Sequence, residues 1–229
     1  MPMVSVFLPS YNKGEYATEA IACVLAQDYA NLECWLLENS DDGGHTREMI
    51  APLLGDSRII YEEIEFGPGE REAAYPTAVL LNRYYPKANG EIIAYLSDDD
   101  LLDPRTLRLC VEFLEADESR KVCYFGLRHA NLRPDGWTFT GSIPALHPMG
   151  AYTDLPVVDS RIDGGQIAHR ADCLERLDQP WFPEEAERGI ACHADGLFMQ
   201  RLAREFTFWP VNEFLLTHRR TPLSTWDKG

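Results

Sequence analysis

Strand-length apolar runs alternate with helical patterns through the first hundred residues of the chain. Apolar runs predict strands at residues 3–8, 32–37, 57–61 and 91–96. Apolar residues recur at helical spacing in residues 15–27, 46–54 and 73–85. Strands that alternate with helices indicate βαβ units, so we expect an α/β fold with a mostly parallel sheet flanked by helices.

The second half of the chain has a less regular pattern. Helical patterns cover residues 104–114 and 192–205, and strand-like runs cover residues 122–127 and 206–209. Residues 131–156 are rich in Gly and Pro, which predicts a hairpin and loop, and the chain from Thr217 onward reads as a polar tail. No internal repeat interrupts the sequence, and we expect one continuous domain.

Polar residues follow three of the predicted strands directly. These clusters are Ser10-Tyr11-Asn12, Glu38 to Asp42, and Asp98-Asp99-Asp100. In parallel sheets ligands bind at the carboxyl ends of the strands, so the three clusters are expected to converge on one site.

Composition and charge exclude several classes of function. The chain has 229 residues, and 21 Lys and Arg against 37 Asp and Glu give a net charge of −16. Nucleic acids and anionic membranes are bound through clusters of Lys and Arg that this sequence lacks, so we expect neither partner. We also expect no signal peptide and no membrane span. Six cysteines without a CxxC pair favour a reducing, cytoplasmic location.

The acidic triplet Asp98-Asp99-Asp100 has two interpretations. Adjacent carboxylates repel one another, so gathering them at the end of a sheet favours a bound cation, and hard oxygen ligands suit Mg²⁺ or Mn²⁺. Alternatively the triplet is a solvated turn before the helix that starts near Pro104, because charge runs are usually surface. The position directly after the apolar run EIIAYL favours the metal.

Three sequence blocks together resemble a known family. VSVFLPSYNKGEYATEAIACVLAQ, LLENSDDG and NGEIIAYLSDDDLLDP look like a family 2 glycosyltransferase with the GT-A fold, most similar to its spore-coat-polysaccharide type. The match covers residues 3–105 and continues more loosely to about residue 220. It implies a Rossmann-like, mostly parallel sheet with a smaller mixed acceptor-side region. Residues 1–100 would bind the nucleotide-sugar donor, and residues 101–229 would bind the acceptor and end in a C-terminal lid.

The resemblance also implies roles for individual residues. Contacts to the donor nucleotide and its sugar fall to Pro9, Ser10, Tyr11, Glu38, Asn39, Asp98, His218, Arg219 and Arg220. The divalent ion, Mn²⁺ or Mg²⁺, would be held by Asp99, Asp100 and His218. The family more often has Asp where this chain has Ser97, so the choice of direct ligand among the three aspartates stays open.

The identity of the nucleotide base also stays open. Relatives that bind uridine often carry an Arg in the helix before the fourth strand, and Pro76 occupies the nearest position here, with Arg71 and Arg83 on either side. Thymidine and guanosine diphosphate sugars therefore remain alternatives to the uridine form.

A second acidic motif, Cys192-His193-Ala194-Asp195-Gly196, begins the predicted helix at 192–205. In the family this motif supplies the catalytic base, and Asp195 is the match; by itself an Asp here could also be a helix cap. Residues expected on the acceptor side are Gly165, His169 and His193.

The resulting hypothesis is an inverting, metal-dependent glycosyltransferase. It would move a sugar from a nucleotide-diphosphate donor to a hydroxyl of a carbohydrate or small-molecule acceptor. The alternatives are a non-catalytic module that binds sugar nucleotides or glycans, and a sugar-phosphate nucleotidyltransferase.

Overall fold

The computed structural model describes residues 1–67, 69–73, 75–157, 162–177, 181 and 194–223. Its strands are β1 Val4–Ser10, β2 Leu32–Glu38, β3 Ile59–Glu63, β4 Ile92–Tyr95, β5 Leu101–Leu102, β6 Val122–Arg133, β7 Gly136–Ile143, β8 Met149–Gly150, β9 Ile167–Arg170 and β10 Thr207–Arg220. Its α-helices are α1 Gly14–Leu25, α2 His45–Ile50, α3 Glu70–Ala73, α4 Pro76–Tyr84, α5 Thr106–Glu115 and α6 Ala194–Glu205.

One mixed sheet joins all the strands of the described residues, in the order β3-β2-β1-β4-β9-β6-β10-β5. In its first half β1 pairs in parallel with β2 and β4, and β2 pairs in parallel with β3. In its second half β9 is antiparallel to β4 and β6, whereas β10 is parallel to β6. The hairpin β6–β7 and the short strand β8 extend the sheet beyond this order. The expected α/β sheet is confirmed, with the antiparallel pairs concentrated in the second half.

Apolar residues alternate between the two faces of the sheet and build a separate core on each. On one face Val6, Leu8 and Leu36 pack with Ile21 of α1. On the other face Phe7, Trp35 and Tyr95 join an aromatic cluster with residues of α4 and α6, among them Leu80 and Phe198. Because both faces of the sheet are buried, the central strands are continuous apolar runs in the sequence. These runs predict the positions of the strands.

The last strand corrects the expectation for the end of the chain. The sequence predicts a strand only at 206–209 and a flexible polar lid from Thr217, but β10 runs through Arg220 and pairs with β6 as far as Arg220↔Asn131. Register shifts around Phe214 and a proline at Pro210 break the simple alternation of apolar and polar residues. The polar pattern from Thr217 thus predicts a tail where the structure has a paired strand.

Among the described residues, the longest helices have twelve residues. None of these helices has the length and hydrophobicity that a bilayer crossing requires.

The turn before β4 gives a test of the packing at the amino ends of the strands. Gly90 donates its backbone N–H to Ser5 Oγ at 2.8 Å, and a Cβ on Gly90 would lie 2.5 Å from the Ser5 backbone nitrogen. We expect Gly90→Ala to lower the free energy of unfolding by about 1–3 kcal/mol through overpacking. Urea unfolding measures this, with Gly55→Ala as the control, because nothing lies within 4 Å of a Cβ there. Equal midpoints for the two variants would contradict the tight packing.

Candidate active site

A cavity of about 410 Å³ opens at the carboxyl ends of β1 and β4. Of the predicted site residues, it is lined by Pro9, Ser10, Tyr11, Asn39, Asp98, Asp99, Gly165, Asp195 and His218. Residues that were not predicted as part of the site also line it, among them Lys13, Arg71, Tyr75, Thr77, Asp163 and Gly164. The cavity therefore joins the first half of the chain to the loop before β9, the start of α6 and the end of β10.

Hydrogen bonds join two loops at one end of the cavity. The Tyr11 backbone N–H donates to Asp98 Oδ2 at 2.8 Å, and the Tyr11 hydroxyl donates to Asp41 at 3.0 Å. Asn12, which has a positive φ of 55°, donates its backbone N–H to Ser40 Oγ at 2.8 Å and its amide to Asp41 at 2.7 Å. These bonds hold the loop after β1 against the loop after β2, so the two polar clusters meet as expected.

Arg71 and Tyr11 form an aromatic and cationic wall at this end. The Arg71 guanidinium lies 3.9 Å from the centroid of the Tyr11 ring, a cation–π distance. Arg71 also donates to the Asn39 backbone carbonyl at 2.6 Å and to Asn39 Oδ1 at 3.2 Å. A flat group with a π face and hydrogen-bonding edges fits such a wall.

The acidic triplet is divided among three environments. Burial, together with the neighbouring charge of Asp99, raises the pKa of Asp98 to about 7. Asp99 accepts from Lys13 Nζ at 2.5 Å, and Lys13 also donates to the Leu223 carbonyl at 3.0 Å. Asp100 is fully buried and accepts from the Arg219 backbone N–H at 2.8 Å. Among the described residues, Asp99 is the carboxylate of the triplet that is paired with a lysine.

A group that could hold a cation lies beside the triplet. Asp100, Asp163 and His218 each offer one ligand atom, and these atoms lie within 4.8 Å of one another. His218 Nδ1 is 3.2 Å from Asp100 Oδ2 and 4.0 Å from Asp163 Oδ2. Burial would lower the pKa of His218, but the hydrogen bond to Asp100 and the charges of Asp100 and Asp163 raise it to about 9. The site thus attracts positive charge strongly.

The donor types in this group fit a divalent metal ion. Two carboxylate oxygens with one imidazole nitrogen suit Mn²⁺, and hard oxygen ligands also suit Mg²⁺. Burial and the charge of Asp100 raise the pKa of Asp163 to about 6. This shift comes first from burial and then from the negative charge of Asp100 beside it. Asp163 and Asp100 would be the carboxylate ligands, with His218 as the third once its imidazolium has released a proton to solvent.

Asp195 lies in the first turn of helix α6 and lines the same cavity. Its Oδ2 accepts from the Gly164 backbone N–H at 3.1 Å, and its Oδ1 accepts from the Gly196 backbone N–H at 2.9 Å. Burial and the nearby Asp163 charge raise the pKa of Asp195 to about 6. The carboxylate is therefore held by backbone donors and has increased basicity.

The match to a family model covers residues 5–139, more than half of the chain. The chain belongs to glycosyl transferase family 2. It is 28% identical to Protein CgeD of Bacillus subtilis (strain 168) over 226 residues, covering 96% of this chain and 50% of CgeD. It is also 28% identical to WcaA of Escherichia coli (strain K12) over 172 residues, covering 72% of this chain and 56% of WcaA. The chain spans about half the length of these relatives.

Solved structures of glycosyltransferases have the same fold. S. aureus TarS in complex with UDP-GlcNAc superimposes with a TM-score of 0.67 at 17% identity, covering 99% of this chain and 61% of that one. The mannosyltransferase PcManGT from Pyrobaculum calidifontis, in complex with GDP-Man and Mn²⁺, gives 0.61 at 20% identity, covering 95% and 56%. The family and the GT-A fold expected from the three sequence blocks are confirmed.

Five described residues that were predicted for the site of this family 2 chain lie away from the cavity wall, namely Glu38, Asp100, His169, Arg219 and Arg220. Glu38 is fully buried, where its carboxylate accepts from Arg47 Nε at 2.8 Å and from the Ser40 backbone N–H at 2.6 Å. Strand alternation turns Glu38 inward and Asn39 toward the cavity. Arg219 is buried with Glu19 and with the Asp99 carbonyl as partners. The predicted donor contacts of Glu38 and Arg219 are therefore corrected to supporting roles.

Of the residues predicted on the acceptor side, Gly165 lines the cavity and His169 does not. His169 is fully buried, hydrogen-bonded to the Tyr95 hydroxyl at 2.9 Å and to the Arg170 carbonyl at 2.8 Å. Burial lowers its pKa to about 4. His169 is therefore a neutral core residue and not an acceptor contact, because β9 lies inside the sheet.

Arg220, which the resemblance assigns to the donor, is exposed at the end of β10 and does not line the cavity. His193 lies outside the described residues.

Sequence reasoning missed Asp163 and Lys13 as site residues. Asp163 precedes a short turn in which its side chain accepts from Gly165 and Gln166 closes a capping box. The pattern Asp-Gly-Gly-Gln was a visible signal for that turn. No local signal indicates that the turn lies against Asp100 or Asp195.

Proposed function

We propose that the chain is an inverting, metal-dependent glycosyltransferase that transfers a sugar from a nucleotide-diphosphate donor to a hydroxyl acceptor. The observation that carries the proposal is the shared cavity. A wall with an aromatic ring, two members of the cation-attracting group (Asp163 and His218) and the Asp195 carboxylate of raised pKa all line the same 410 Å³ space.

The general base of catalysis in this proposal is Asp195. Direct displacement at the anomeric carbon inverts its configuration and requires a group that accepts the proton of the attacking hydroxyl. A carboxylate with a pKa near 6 accepts that proton better than one with an ordinary pKa, yet it is still largely ionised at neutral pH. The two backbone N–H groups that bind Asp195 fix its orientation. Asp195 therefore has both the basicity and the rigidity that the role demands.

The metal in this proposal is held by Asp100, Asp163 and His218. A bound divalent cation supplies Lewis-acid stabilisation of the charge on the departing nucleoside diphosphate. Lys13 is a second positive group, and it lies in the cavity wall beside Asp99. The diphosphate would therefore lie between the metal held by Asp100, Asp163 and His218 and the ammonium group of Lys13.

The base of the donor nucleotide would lie at the opposite end, against Tyr11 and Arg71. The neighbours with known ligands carry a uridine donor in TarS and a guanosine donor in PcManGT. Pro76 lines the cavity where uridine-binding relatives often carry an Arg. The thermal-shift screen therefore includes the diphosphates of uridine, thymidine and guanosine.

A thermal-shift screen tests the proposal. UDP, dTDP and GDP are each added with and without Mn²⁺, and we expect one of them to raise the melting temperature only with the metal. A ligand at about 100 times its Kd that binds only the folded state adds about 2.7 kcal/mol to the free energy of unfolding. The absence of any metal-dependent shift would contradict the donor site. Mn²⁺-dependent hydrolysis of the matching nucleotide sugar then separates an enzyme from a binding module.

A further inference from the structure

A polar surface extends from His218 across the outer strands of the sheet. It comprises His129, Asn131 and Arg133 of β6, Thr138 and Gly141 of β7, and Arg220 of β10, which we call the polar platform. None of these six residues lines the cavity described above. The platform begins where the cavity ends.

Strand register places the platform residues on the face that carries His218. His218 is paired with His129, which is paired with Gly141; Arg220 is paired with Asn131 in the next row. The rings of His129 and His218 meet edge to face with centroids 5.5 Å apart, which places both side chains on the same side. Residues two apart on a strand share a face, so Arg220 follows His218 on this side.

The charge of the platform is opposite to that of the chain. The whole chain has 37 acidic and 21 basic residues, whereas the platform carries two arginines, Arg133 and Arg220. Arg220 and Arg133 are both exposed. Such a surface favours an anionic ligand, and Arg binds phosphate and carboxylate groups through paired hydrogen bonds.

The platform also has unused hydrogen-bonding capacity. In the part of the chain that the structure describes, His129 Nδ1 and Asn131 Oδ1 are shielded from solvent and find no hydrogen-bond partner. Buried polar atoms without partners are costly, so they are rare in folded proteins and often mark a place where a ligand or water belongs.

We propose that the polar platform binds the acceptor, and that this acceptor is a saccharide carrying a phosphate or carboxylate group. This inference rests on the proposed function. The donor occupies the cavity, so the acceptor has to approach from outside it, and the platform is the polar surface that adjoins His218. Arg220 is two residues beyond His218, a rise of about 7 Å along the strand. An anionic group held by Arg220 therefore belongs to the reacting sugar or to its immediate neighbour.

Binding of matched sugars tests the platform. Calorimetry compares glucose with glucose 6-phosphate and with glucuronate, with Mn²⁺ and with or without the nucleoside diphosphate that gives the largest thermal shift. We expect each charged sugar to bind at least about tenfold more tightly than glucose, as one charge-assisted contact predicts. Arg220→Ala and Arg133→Ala should each remove most of that preference. Arg176→Ala removes an exposed arginine outside the platform and should keep it.

The outcomes separate the two proposals. If a nucleotide binds but charged and neutral sugars bind equally, the platform proposal is wrong and the donor site stands. If Arg220→Ala weakens the nucleoside diphosphate instead of the charged sugar, Arg220 serves the donor and the platform proposal is again wrong. If no nucleotide binds, the proposed function fails, while the sugar preference and its loss in the two variants still decide the platform. Unchanged melting temperatures of the free variants show that they fold.

Discussion

Asp195→Asn should lower the rate of sugar transfer by about 100-fold to 10,000-fold, the range that general-base catalysis contributes. The amide has the same shape as the carboxylate, and its oxygen can still accept from the Gly164 backbone N–H. It cannot accept the proton of the attacking hydroxyl. The loss should fall on kcat, because the donor is bound by other residues of the cavity. Rates measured at saturating donor and acceptor check this.

Two controls accompany this experiment. The thermal shift produced by the nucleoside diphosphate with Mn²⁺ should persist in Asp195→Asn, which would show an intact donor site. Asp154→Asn removes a carboxylate from an exposed position and should keep the full rate. If Asp195→Asn retained the rate of the unmodified chain, Asp195 would not be the base, whatever the fold.

Asp163→Asn should weaken Mn²⁺ binding by at least about 10-fold to 100-fold, the loss typical even for residues that only support a metal ligand. The reason is geometric: Asp163 Oδ2 lies near His218 Nδ1, and with Asp100 these residues form the group that could enclose a cation. The asparagine can still accept from the Gly165 backbone N–H, so the turn should survive. Titration of Mn²⁺ followed by calorimetry gives the affinity, and transfer should fall in parallel.

Asp99→Asn is the matched comparison, because the sequence assigns Asp99 to the metal. In the structure Asp99 is ion-paired with Lys13 and is not part of the cation-binding group found among the described residues. We expect Asp99→Asn to reduce Mn²⁺ affinity less than Asp163→Asn does. The reverse order, with Asp163→Asn retaining the metal and Asp99→Asn losing it, would show that the ligand set predicted from the sequence is the functional one.

The first half of the fold could be predicted because each strand carries its own signal. β1, β2 and β4 are buried on both faces, and each begins within one residue of its predicted start. The polar clusters after them converge because parallel strands end at one edge, which needs no knowledge of side-chain packing. β10 was harder, because register shifts and a proline hide its periodicity and its partner is far away in sequence. Pairing between distant segments leaves no local pattern to detect.

The candidate site was predictable to the same extent and for the same reason. Tyr11 and Asp98 belong to the sequence blocks that carry the family resemblance, Asp195 belongs to the later acidic motif, and all three line the cavity. Asp163 lies in a turn with an ordinary capping pattern, so only the folded chain shows that it meets Asp100. His169 is expected on the acceptor side because it falls near the strand that the family uses there, whereas its fully buried place in β9 makes it a core residue.

The group formed by Asp100, Asp163 and His218 draws on three segments that are distant along the chain. His218 reaches it only after β10 has entered the sheet between β6 and β5. Closing long loops costs chain entropy, so we expect this candidate group for a cation to form late in folding. The moment at which metal binding appears during refolding would then report when β10 pairs with the sheet. A chain stalled before that step would be compact but unable to bind the ion.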